Sequence, residues 1–347
     1  MSKGVKEIIT ISLDAMGGDN APVNEVAGAV EAVRGNEGIN ITLVGKTGLI
    51  SSELKKFSYD TNRINIHNAE DVIEMHDSPT DAIRKKPDSS LVSGLKLCKT
   101  GAADAFISAG NTGAVMAASL FTLGRIANVN RPTIGSRFPT ERGITMVFDV
   151  GANVDSKPIN LLQFAVMGSV YANHMYGIEN PKVGLLSVGE EKTKGDTLTV
   201  EAYELLEKSN LNFIGNVEGR DILKGETHII VCDGFTGNVV LKFAESVLGL
   251  LRTKFKDYAD SGFINKLKVG MAYGTLKTIM KDFDYQEYGG VPLLGVNGIS
   301  IIGHGRSSPK AFVNMALNAE RMARAGINDI IAAQIKDINN FITKTDQ

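Results

Sequence analysis

The chain has 347 residues, a net charge of −2, 43% hydrophobic residues and 22% charged residues. That balance describes a folded globular protein of one large or two medium domains, and it excludes nucleic-acid binding by bulk electrostatics. Two cysteines, Cys98 and Cys232, are too few for a disulfide framework or a zinc site and point to a reducing cytosol. The stretch Met1 to Thr10 lacks the apolar core and small-residue cleavage site of a secretion signal, and no later run offers the roughly 20 apolar residues of a membrane-spanning helix. The chain is therefore expected to be neither exported nor membrane-spanning.

Along the chain, short apolar runs alternate with segments of helical spacing. Strands are expected at 8–13, 39–44, 64–67, 105–108, 145–150, 183–188 and 229–232, and helices at 22–34, 89–100, 112–123, 161–176 and 197–209. Several of the strands are continuously apolar, as strands buried on both faces of a sheet are. The succession predicts a doubly wound α/β fold, with a mostly parallel sheet and helices on both faces, forming a single two-lobed unit over residues 1–347. Ligands in such sheets sit beyond the carboxyl ends of the strands.

Loops rich in Gly, Asn and Asp follow five of these strands, at 14–20, 108–113, 149–153, 189–194 and 233–238. In the first, Gly17 and Gly18 let main-chain N–H groups approach an anion, just before a helix with Pro22 in its first turn. A structural turn capped by Asp14 or Asp19 fits the same residues. The string is neither a P-loop nor Gly-x-Gly-x-x-Gly. In the second loop Ser108, Asn111 and Thr112 offer donors to phosphate or an acyl carbonyl, while Asn111 or Thr112 also suits a helix cap. The loop with Glu190 and Lys194 reads as solvated or as a substrate contact. His304, between Gly303 and Gly305, has room to meet a ligand. Placed together on one sheet edge, these loops predict a site for a polyanion or polar ligand. No metal-ligand spacing and no Gly-x-Ser-x-Gly occurs, so neither a metal nor a serine nucleophile is expected.

Residues 250–283 are basic and amphipathic, with Phe263, Ile264, Leu267 and Met271 interleaved with Lys254, Lys256, Lys266 and Lys268. Gly270 and Gly274 predict two shorter helices or a protruding helical hairpin. Its apolar face either joins the core or meets a membrane interface or an acidic partner.

Taken in order, several strings resemble the PlsX family of acyl-acyl carrier protein:phosphate acyltransferases. They are Asp14-Ala15-Met16-Gly17-Gly18-Asp19, Ser108-Ala109-Gly110-Asn111-Thr112-Gly113, Asp149-Val150-Gly151-Ala152-Asn153, Gly215-Asn216-Val217-Glu218-Gly219-Arg220-Asp221, Cys232-Asp233-Gly234-Phe235-Thr236-Gly237-Asn238, Tyr288-Gly289-Gly290-Val291-Pro292-Leu293-Leu294-Gly295 and His304-Gly305. The resemblance implies transfer of a long-chain acyl group from acyl carrier protein to inorganic phosphate, without a cofactor. It implies that the acyl phosphate passes to a membrane glycerol-3-phosphate acyltransferase in phospholipid synthesis. It further implies a fold like that of isocitrate and isopropylmalate dehydrogenases and phosphotransacetylase, a homodimer, and a cytoplasmic protein that associates peripherally with the inner face of the membrane. The lysines at 254–268 would then meet the acidic carrier protein, and Phe263, Ile264 and Leu267 a bilayer surface.

For that reaction phosphate is already an anionic nucleophile, and a thiol of pKa about 8.5 is a tolerable leaving group, so no acyl-enzyme is demanded. The loops then predict that Gly17, Gly18, Ser108 and Gly110 to Thr112 hold phosphate. Asn111, Asn153 or Asn238 would stabilise the thioester oxyanion and Asp233 or His304 would manage a proton, with Asp14, Glu190 and Lys194 as further substrate contacts. The alternatives are a phosphotransacetylase-like enzyme using acyl-CoA, or a non-enzymatic module that binds carrier protein or lipid.

Overall fold

The computed structural model describes residues 7–283 and 285–345, so part of the N-terminal stretch, residues 1–6, lies outside it. Among the described residues one mixed sheet runs through the molecule. Its strands are β1 (Ile9–Asp14), β2 (Ile39–Gly45), β3 (Ile64–Asn68), β4 (Ala105–Ser108), β5 (Thr133–Thr140), β6 (Gly143–Phe148), β7 (Val183–Leu186), β8 (Phe213–Val217), β9 (Ile229–Val231), β10 (Val291–Leu294) and β11 (Ile299–Ile302). Their order is β3-β2-β1-β4-β11-β10-β5-β6-β9-β7-β8.

Pairing between neighbours divides the sheet into two lobes. β3, β2, β1, β4 and β11 are parallel, as are β6, β9, β7 and β8. Between them β10 is antiparallel to β11 and to β5, and β5 is antiparallel to β6. Three successive reversals turn the second lobe against the first, so the carboxyl ends of the two sets of strands open on opposite edges. β10 joins β5 through only Leu293 with Ile134 and Leu294 with Thr133. The strands at this joint, β5, β10 and β11, and the edge strand β8 were not among those expected. Pro139, Pro292 and Gly215 interrupt the apolar pattern that marks a strand in β5, β10 and β8.

Helices cover both faces. On one, α1 (Val23–Gly35) packs against α2 (Thr47–Leu54) and α10 (Pro309–Ala325), with α6 (Pro158–Tyr176) beside the second lobe between α7 (Thr197–Lys208) and α11 (Ile327–Thr345); on the other lie α3 (Pro79–Lys85), α4 (Ser90–Lys99) and α5 (Thr112–Leu123). The inward stripe of α1, Val26, Ala29, Val30 and Val33, is fully buried, as are Phe312, Met315 and Ala319 of α10. Burying such side chains contributes about 1.5–3 kcal/mol for each large one. Gly28 sets the spacing, because a Cβ there would lie 2.5 Å from Cβ of Phe312.

The protrusion is larger than expected. α8 (Gly234–Asp260) begins in the core, with Gly234 and Gly237 buried and Val240, Leu241 and Ala244 packed on it, and then leaves the body of the protein. Leu250, Leu251, Phe255 and Tyr258 are exposed, and so are Phe263, Ile264, Leu267 and Met271 on the returning α9 (Phe263–Met280). The chain reverses at Ser261–Gly262. Gly270 and Gly274 lie inside α9 with open space around them, so their cost of about 1 kcal/mol each is absorbed without a break.

Candidate functional site

At the first edge the ends of β1 and β4 lie side by side. The buried Asp14 carboxyl accepts the Ser108 hydroxyl at 2.7 Å and the Met16 N–H at 3.1 Å, and Ser108 Oγ accepts the Gly110 N–H at 3.0 Å. Burial pushes Asp14 above the usual carboxylate range, while hydrogen bonds from Ser90, Ser108 and Met16 pull it back. Gly17 closes over this pair. A Cβ there would lie 2.7 Å from Asp14 Oδ2 and 2.8 Å from the Gly110 nitrogen, so a side chain would force the β1 and β4 loops apart.

Gly18 rests on the carboxyl of Glu25, the third residue of α1, which is 1% exposed. Burial, with repulsion from Asp14 and Asp19, pushes Glu25 up to about 8. Asn111 caps α5: its Oδ1 accepts the Ala114 N–H at 3.0 Å, and its Nδ2 donates to the carbonyls of Met75 and Asp77 at 2.7 and 3.4 Å. The cap leaves the N–H groups of Thr112 and Gly113 at the helix start, with Thr112 exposed.

The loop after β11 completes this edge. Gly303 N–H donates to the Ser108 carbonyl and Asp19 N–H to the Gly305 carbonyl, both at 2.8 Å. His304 Nδ1 accepts the Arg306 N–H at 3.1 Å. The Arg306 side chain is 82% exposed, and its Nε stands 4.0 Å from Asp19 Oδ2. A helix start, a glycine loop and a guanidinium thus converge, an arrangement that attracts an anion.

At the second edge Asp149, just beyond β6, gathers four donors. Oδ1 accepts the N–H groups of Ile134 (3.3 Å) and Ala152 (3.1 Å), and Oδ2 accepts the N–H (2.7 Å) and Nδ2 (2.8 Å) of Asn153. Burial raises its pKa against the pull of those bonds. Asn153 Nδ2 also donates to the Pro132 carbonyl at 2.7 Å, so its amide is committed to holding the loop. Asp233 caps α8, its two oxygens accepting the N–H and hydroxyl of Thr236 at 2.9 and 2.6 Å. Asn238 is exposed beside Gly151. Glu190 and Lys194 lie in the exposed loop after β7, where Glu190 is 3.6 Å from Arg220.

The expected constellation therefore separates into two. Asp14, Gly17, Gly18, Ser108, Gly110, Asn111, Thr112 and His304 gather at the first edge, whereas Asn153, Asp233, Asn238, Glu190 and Lys194 gather at the second. Between β4 and β6 lie four strand spacings, about 19 Å. Within one chain, a phosphate on Gly17 is out of reach of Asn153 and Asn238. The single-edge expectation fails because β10 and β5 reverse the strand direction. The amide groups of Asn111 and Asn153, expected to stabilise an oxyanion, hold α5 and the loop after β6.

Sequence reasoning missed Glu25 and Arg306 and gave Asp149 no role. The signal for Glu25 was present: a carboxylate on the stripe formed by Val26, Ala29, Val30 and Val33. Arg306 stands two residues after His304, in the loop that opens α10.

A family model described as fatty acid synthesis protein matches residues 9–330. The match spans the whole sheet and both sets of loops. The chain belongs to that family. Curated relatives of this fatty acid synthesis family member include the phosphate acyltransferase of Halothermothrix orenii, 47% identical over 328 residues, covering 94% of this chain and 97% of that protein. The phosphate acyltransferase of Heliobacterium modesticaldum is 49% identical over 328 residues, covering 94% and 96%. This fatty acid synthesis family member is accordingly an acyltransferase. Among solved structures, a phosphotransacetylase from Streptococcus pyogenes matches with a TM-score of 0.64 at 16% identity, over 92% of this chain and 95% of its own. EutD phosphotransacetylase from Staphylococcus aureus matches at 0.59 and 14%, over 92% and 96%. These two show a shared α/β fold.

Proposed function

We propose that this acyltransferase moves a long-chain acyl group from acyl carrier protein to inorganic phosphate for phospholipid synthesis, and that the first edge receives the phosphate. The observation that carries this placement is the meeting of the Gly17 loop with the start of α5, next to Arg306. A phosphate oxygen attacks the thioester carbonyl carbon, the carbon–sulfur bond breaks, and the departing sulfur takes a proton. The proton that sulfur gains is the one hydrogen phosphate loses, and His304 is read as steering it, with Nδ1 accepting the Arg306 N–H and Nε2 turned to the departing sulfur. Incubating the protein with acyl carrier protein thioester and phosphate, then trapping acyl phosphate with hydroxylamine, tests the reaction. Release of thiol without phosphate would overturn it, and a faster reaction with acyl-CoA would favour a phosphotransacetylase-like enzyme.

The α8–α9 hairpin supports a surface role in the same process. Against the expectation that no run is long and apolar enough to cross a membrane, α8 is so by length and composition, but its first turns are packed on the core. The apolar row of α8 is read as the contact with a second copy in a homodimer. Phe263, Ile264 and Leu267 at the tip are read as a peripheral contact with the inner membrane face, where acyl phosphate would pass to a glycerol-3-phosphate acyltransferase. Lys254, Lys256, Lys266 and Lys268 offer positive charge to the carrier protein.

A further inference from the structure

Glu25 is the charged residue that α1 turns inward. Its Oε2 is buried and has no hydrogen-bond partner, its other oxygen lies against Gly18 where a Cβ would collide with it, and the Gly18 N–H interacts with the carboxyl. A carboxylate and a phosphate both take hydrogen bonds from main-chain N–H groups, and Gly18 has one to give.

We infer that Glu25 is a positioning residue for phosphate: its carboxyl competes with the anion for the Gly18 N–H, and the site accepts phosphate when Glu25 carries a proton. The inference rests on reading the first edge as the phosphate site. Ionised, Glu25 makes a charge-assisted bond to Gly18, roughly twice as strong as a neutral one, and sets a negative charge beneath the loop. Protonated, it holds Gly18 weakly and leaves the loop's N–H dipoles to face the ligand. The titratable groups facing it are Asp14 at the end of β1 and Asp19 in the same loop. α10 meets α1 near Gly28 through Pro309 and Phe312, and His304 and Arg306 precede it, with Arg306 beside Asp19. Burial, reinforced by the two aspartates, places the loss of this proton at about pH 8.

Calorimetric titration with inorganic phosphate alone, at pH 7, 8 and 9 in two buffers of different ionisation heat, tests this on the full chain. The share of Glu25 that carries a proton falls about tenfold between pH 7 and 9, so the wild-type Kd should rise about tenfold beyond the change in Glu25→Gln. At pH 8 the wild type should take up roughly half a proton more than the variant. In steady-state kinetics the alkaline loss should appear in the KM for phosphate and not in kcat, and Glu25→Gln should lose it. Equal slopes and equal proton counts in the two proteins would overturn the inference, as would a pH-independent Kd in the wild type should the variant not fold. Phosphate that neither binds nor saturates turnover at any pH would instead remove the phosphate site itself.

Discussion

Three buried carboxyls, Asp14, Glu25 and Asp149, lie at or beside strand ends, and in all three burial works against the charge. For Glu25 the consequence for stability has a definite sign. The fold keeps its proton up to about pH 8, whereas the unfolded chain releases it near 4.5. Between those values the unfolded state binds fewer protons, so stability falls as pH rises, by up to about 1.4 kcal/mol per pH unit. The urea midpoint should therefore drop more steeply from pH 5 to pH 8 in the wild type than in Glu25→Gln; parallel curves would show an ordinary carboxyl. Gly17→Ala tests the contact above Asp14. Its methyl group has no room against the Gly110 nitrogen, and overpacking of this kind costs about 1–3 kcal/mol. The variant should melt lower and lose at least tenfold in kcat/KM for phosphate, a drop visible in the hydroxylamine assay.

Among the elements, β4 and α5 were legible to the residue: an apolar run at 105–108, a small polar loop, then helical spacing over 112–123. The same loop shows how far that legibility goes. The sequence left Asn111 as either a cap or a ligand, and only the positions of Ala114, Met75 and Asp77 decide for the cap. Replacing Asn111 by Ala should cost about 1 kcal/mol in urea unfolding and loosen the 75–77 segment. Activity should fall through the misplaced start of α5, and a stable variant with normal turnover would dissociate the cap from the site. The expected helical hairpin forms, but its turn lies at Ser261–Gly262 and not at the glycines of α9, because a helix tolerates two exposed glycines when the turn is supplied elsewhere. The exposed tip, with Phe263 at 84%, should lose liposome flotation when Phe263 and Leu267 are changed to Ser. Unchanged flotation would assign the hairpin to contact between protein copies.

For the whole molecule, local order in the sequence determined a great deal. Apolar runs separated by Gly, Asn and Asp gave an α/β fold with helices on both faces, and the ordered strings pointed to the acyltransferase family that the comparisons show. Those features depend on neighbouring residues and on the alternation of strand and helix, which a linear reading can follow. Which loops share an edge depends instead on strand direction. That direction was set by β5 and β10, strands that their prolines hide and whose pairing with each other joins residues far apart in sequence. The tertiary structure alone decided that the Gly17 loop meets Gly110, Glu25 and Arg306 while Asn153, Asp233 and Asn238 stand at the opposite edge, beyond β6 and β9. It also decided the charge state of Glu25, because that depends on burial and on two aspartates brought close by the folded chain.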